Sequence, residues 1–77
     1  MTPKQFKMAK AALGVSNPEV AEKTGLHRNT LNKLDNGEGK VSTVQLVRLT
    51  LEAEGIQFLE AGQVAAGPGV AIRSEDD

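Results

Sequence analysis

The chain has 77 residues, enough for one domain with a small core, because a chain this short buries only about 60% of the surface its unfolded form exposes. It contains no cysteine, which excludes a disulfide framework or a thiolate metal site and fits a reducing compartment. The net charge of −1 hides an asymmetry: residues 1–50 carry +4 and residues 51–77 carry −5, a basic front and acidic tail of the kind that suggests nucleic acid at one end.

The first element announces itself at Thr2-Pro3-Lys4-Gln5, where a hydroxyl N-cap, proline at the first helical position and glutamine at N3 make a capping box. Phe6, Ala9 and Leu13, with Met8 and Ala12 beside them, follow at helical spacing, and Gly14 supplies a left-handed cap. Lys4 and Lys7 on this helix read as solubility charges. Ser16-Asn17-Pro18-Glu19 repeats the device, the Ser16 hydroxyl and the Glu19 carboxylate each satisfying the other's free amide. Val20 and Ala21 face inward, and Gly25 ends this short second helix. A third helix runs from Arg28 to Asp35 with Leu31 and Leu34 on one face, until Asn36-Gly37 stops it. Ser42-Thr43-Val44-Gln45 reads as a third capping box, opening a helix with Leu46, Leu49 and Ala53 on its inner stripe and Gly55 at its end. The expected lengths are roughly 11, 8, 8 and 12 residues.

After Gly55 the pattern changes. Ile56-Gln57-Phe58-Leu59 and Val70-Ala71-Ile72-Arg73 are short β-prone runs around a loop rich in glycine and alanine, with a turn at Gly67-Pro68-Gly69. Two strands alone are marginal in water, so they are expected to pack on the helices or on a partner. Ile56, Phe58, Val70 and Ile72 need more burial than a small helical core promises, and this assigns them to dimerisation. The expected layout is a helical unit at 1–55, a strand extension at 56–73 and a polar acidic end at 74–77.

The most informative stretch is SNPEVAEKTGLHRNTLNKLDNG, residues 16–37. Two short helices joined by a tight turn must meet steeply. Ala21 is small where the next helix crosses, Gly25 adopts a positive φ without strain, and Leu26, Leu31 and Leu34 anchor the third helix. The outward face of that helix then reads Arg28, Asn29, Asn32 and Lys33, all donors and none acidic. Arginine pairs bidentately with guanine and asparagine with adenine, and residues at the start of such a helix reach base edges first. Arginine there also opposes the helix dipole, so it needs a reason beyond local stability.

These positions resemble the phage repressor and Cro family of helix-turn-helix regulators, also called the XRE type. The likeness covers residues 5–54 and rests on Val20, Ala21, Gly25, Leu26, Leu31 and Leu34, followed by Leu34-Asp35-Asn36-Gly37 where the family reads Leu-Glu-Asn-Gly or similar. It implies a mainly α fold: a compact four- to five-helix repressor-like domain, here with two short C-terminal β-strands. By this resemblance Arg28, Asn29, Asn32 and Lys33 fall on base-reading positions, and Asn17, Thr30, Asn36 and Lys40 on or near phosphate contacts. His27 joins the phosphate set as the residue preceding the reading helix. Three departures stand out. Asn17 is shorter than the usual glutamine, His27 replaces the usual Ser or Thr cap, and Lys10 with Asp35 replaces a longer arginine–glutamate pair. An ion pair between the last two is expected, worth about 0 to 1 kcal/mol if exposed.

No catalytic set is legible: the one histidine has no cysteine and no acid at a useful spacing, and Gly62, Gly67 and Gly69 do not form a phosphate-cradling loop. The reading is therefore not an enzyme, with no metal and no cofactor. No apolar run reaches a membrane span, and the opening MTPKQFKMAK lacks a signal peptide's apolar stretch. The expectation is a cytoplasmic, nucleoid-associated regulator, bacterial or phage-encoded, that binds a palindromic operator in double-stranded DNA as a homodimer. The alternative is an antitoxin or protein-interaction module that binds a partner protein through residues 55–77.

Overall fold

The computed structural model describes residues 1–59 and 69–72. Among them the chain is mainly helical: α1 Pro3–Leu13, α2 Asn17–Thr24, α3 Arg28–Asp35 and α4 Val41–Ala53, followed by β1 Ile56–Leu59 and β2 Gly69–Ile72. The two strands pair with each other, antiparallel, with Ile56 opposite Ile72 and Phe58 opposite Val70. Arg73, the Gly67-Pro68 part of the expected turn and the acidic end at 74–77 lie outside the described residues.

Capping explains the first three helices. The Thr2 hydroxyl accepts from the Gln5 backbone amide at 3.1 Å, and the Gln5 side-chain Oε1 accepts from the Thr2 backbone amide at 2.8 Å. At α2 the Glu19 carboxylate takes both the Ser16 amide and the Ser16 hydroxyl, at 3.2 and 3.1 Å. The α2–α3 turn is Gly25-Leu26-His27, with Gly25 at φ 77°, a conformation that would strain any residue bearing a Cβ. His27 is the N-cap of α3, its Nδ1 accepting the Asn29 amide at 3.1 Å. An imidazole thus does the work of the usual hydroxyl.

The fourth helix departs from the sequence reading twice. It begins at Val41 with Lys40 as N-cap, so Ser42 and Thr43 lie inside its first turn instead of capping it. Its buried face is Val47 and Leu51, with Val44 packed beside them, whereas Leu46 and Leu49 are 42% and 57% exposed. Two interleaved apolar stripes share helical spacing here, 44–47–51 and 46–49–53, and periodicity alone does not choose between them. The 44–47–51 stripe faces the core.

One core unites the molecule. Phe6, Ala9, Val20, Leu31, Leu34, Val47, Leu51, Ile56 and Phe58 form a single buried cluster. The hairpin's inner face therefore belongs to the helical core, and the expectation that Ile56 and Phe58 lack cover within the chain is corrected: they are 1% and 6% exposed. Gln5 explains part of this. It is fully buried, and its Nε2 donates to the carbonyls of Leu59 and Gly69 at 2.9 and 3.0 Å, one on each strand. The side chain that caps α1 also closes the far end of the hairpin. The last turns of α2 and α4 are joined by Lys23 and Glu54 at 2.7 Å.

Candidate nucleic-acid interface

Helix α3 is the element of interest because its two faces differ in kind. Leu31 and Leu34 are buried, and the opposite face carries Arg28, Asn29, Asn32 and Lys33, all exposed. The side chains of Arg28, Asn29 and Lys33 make no hydrogen bond or ion pair with the described residues. Three donors thus stand in solvent on one face of a short helix fixed from behind. Asn36, the C-cap, is exposed at the end of the same face.

Asn32 is different. Its Oδ1 accepts from Asn17 Nδ2 at 2.8 Å, and the same nitrogen donates to Asp35 Oδ2 at 2.9 Å. Lys10 Nζ completes the group, donating to Asn17 Oδ1 at 2.7 Å and to the two Asp35 oxygens at 2.9 and 3.0 Å. The expected Lys10–Asp35 pair is therefore present, and at 14% and 21% side-chain exposure it is better shielded than a surface pair. Burial pushes the Asp35 carboxyl up, but hydrogen bonds from Asn17 and Lys10, with the Lys10 and Lys7 charges, hold it below its ordinary value. The Lys10 ammonium also lies 4.2 Å from the centre of the Phe6 ring, a favourable cation–π position.

This network changes the meaning of Asn17. Both hydrogens of its amide are given to Asn32 and Asp35 and its oxygen is taken by Lys10, so the side chain faces the protein. The side chain expected to reach a phosphate is therefore already engaged within the protein. What the side chain does instead is orient Asn32, whose own Nδ2 stays free to donate. Sequence reasoning identified both asparagines and missed their contact, which depends on the distance between two helices.

On the other side of α3 lies a concavity of about 320 Å³ lined by Leu26, Thr30, Lys33, Glu38, Gly39, Lys40 and Thr43. Thr30 and Lys40, two expected phosphate contacts, meet Lys33 there. Thr43 was not foreseen; it arrives because α4 starts earlier than expected. His27 is exposed at the mouth of the α2–α3 turn, and since its Nδ1 is an acceptor in the cap, its Nε2 carries the outward N–H. Gly39 holds the loop against α3: a Cβ there would collide with Leu34 Cδ2.

The four residues expected at a dimer contact are dispersed. Ile56 and Phe58 are buried, Val70 is half-buried against the core, and Ile72 is 56% exposed. Among the described residues no helix is long and apolar enough to cross a membrane, and no cluster of three His, Cys, Asp or Glu is placed to hold a metal. No protein-family model matches the chain, and no curated protein matches it in sequence.

Proposed function

We propose that this chain is a sequence-specific DNA-binding regulator in which α2 and α3 act as a helix-turn-helix and α3 enters the major groove. The observation that carries this reading is the outer face of α3. Arg28 and Asn29 stand unpaired at the helix start, where base edges are met first. Their chemistry suits guanine and adenine respectively. Asn32 is oriented by Asn17 as a third reader, and Lys33 is the fourth. His27, Thr30, Asn36 and Lys40 border this face and supply phosphate contacts, which bring most of the affinity and its salt dependence.

The regulator works as a homodimer on a palindromic site, with two α3 helices one duplex turn apart, about 34 Å. Ile56 and Phe58 serve the chain's own core, so the apolar side chains offered to a second copy are Ile72 with Leu46 and Leu49 of α4. Of these, the exposed Ile72 is what favours the second reading, a module that binds a different protein, with residues 55–77 as its docking segment.

Selection from a random duplex pool, followed by binding measurements with Arg28→Ala, tests the proposal. One sequence should be enriched, and the variant should lose about 1 to 3 kcal/mol on it while losing far less on random DNA. Equal loss on both duplexes, or no enrichment, contradicts base reading by α3.

A further inference from the structure

A helix lying in the major groove has a phosphate strand on each side. On the α4 side of α3, Lys33 and Lys40 stand without ion partners. On the α1 side the arrangement is less obvious, because the nearest cation, Lys10, is neutralised by Asp35 and the Asn17 amide is turned inward. We infer that Lys7 of α1 is the phosphate-contacting cation on that second side, extending the proposed interface onto a helix outside the α2–α3 pair. This inference rests on the DNA-binding reading and adds to it.

The placement follows from helical geometry. Pro3 and Lys10 mark the flank of α1 that meets the end of α3: the Pro3 ring packs over Gly37, where an added Cβ would lie 3.5 Å from its Cγ, and Lys10 grips Asp35. With about 100° of turn per residue, Lys7 lies roughly 40° from Pro3 and roughly 60° from Lys10 around the axis. Lys4 lies roughly 100° from Pro3, further from α3. Lys7 is exposed and makes no ion pair among the described residues. Its charge is also felt at Asp35, one of the influences that hold that carboxyl down. From Asp35 the network passes through the Asn17 amide to Asn32, one of the base readers. Lys7 thus borders the reading face across Asp35. Of the remaining cations of the described helices, Lys23 is engaged with Glu54 and Arg48 with Glu52, and Arg28 already belongs to the reading face.

Salt dependence distinguishes a phosphate contact from a solubility charge, because each neutralised phosphate adds about 0.9 to the log–log slope of affinity against salt. Lys7→Gln, Lys4→Gln and the unaltered chain are to be titrated on a selected duplex and a random one between low and moderate salt. Lys7→Gln should lower the slope by about 0.9 on both duplexes, so that a fourfold rise in salt weakens it about 3.5-fold less than the unaltered chain. Lys4→Gln should leave the slope in place, and thermal unfolding of both variants should match the parent. A slope unchanged by Lys7→Gln while the parent binds DNA overturns this inference alone. An equal drop with Lys4→Gln also overturns it, by showing a diffuse charge effect. A parent that ignores DNA at low salt overturns both this inference and the function it extends.

Discussion

The two flanks of α3 both carry polar side chains and treat them differently. Toward α1 and α2, Asn32 and Asp35 are held in a network with Asn17 and Lys10. Toward the α4 loop, Lys33 stands free beside Lys40 and Thr30 around an open concavity. The network side is pre-organised: its polar groups already have partners, and little rotamer freedom remains to be lost on binding. The concave side keeps its side-chain entropy, because its lysines have no ion partner among the described residues. A helix built this way has one rigid edge and one compliant, cationic edge, and on the proposed function the first would set its angle to a duplex.

The contrast makes opposite claims about stability for the two sets of residues. The largest effect is expected at the centre of the network. Lys10→Met keeps an apolar stem over Phe6 but leaves the shielded Asp35 carboxylate without its cation, which should cost about 1 to 3 kcal/mol of folding stability in denaturant melts. A variant as stable as the parent would show that the network is decoration. Acid gives the next effect. Asp35 is held below its ordinary value of 3.8, so its contribution is fully present above that pH and is lost as pH falls through the lower folded value. Stability should therefore decline below about pH 4, and Asp35→Asn should flatten that part of the profile; an unchanged profile would remove Asp35 from the account. The smallest effect belongs to the free set. Arg28→Ala should shift stability by no more than about 0.5 kcal/mol, and in the stabilising direction, because a cation at the first position of α3 opposes the helix dipole. A large destabilisation would mean that Arg28 serves the fold and not a ligand.

Much of this was readable from residues because it depends on local chemistry. Thr2, Ser16, Gly25 and Gly37 mark helix ends through their own backbone and side-chain preferences, and 3.6-residue periodicity separates Leu31 and Leu34 from Arg28, Asn29, Asn32 and Lys33. The same tool failed on α4, where two apolar stripes have equal claims and only the packing of α4 on α2 and β1 chooses Val47 and Leu51. Long-range polar contacts were also out of reach. Nothing local to Gln5 reveals that its amide will bridge two strands more than fifty residues away. The inward turn of Asn17 likewise depends on three side chains from two other helices. Burial of Ile56 and Phe58 was misjudged for a related reason: the space the helices leave open at their end is a property of their crossing, not of any one segment.

The central claim is that a duplex is received by the outer face of α3. Amide-resolved NMR of the labelled chain, titrated with a duplex at low salt, tests it most directly. The account predicts shifts concentrated at Asn17, the His27–Lys33 segment, Asn36 and Lys40, with Ile56 to Leu59 undisturbed. Shifts confined to the outer face of α4 and Ile72, with Arg28 and Asn29 unmoved, would contradict it.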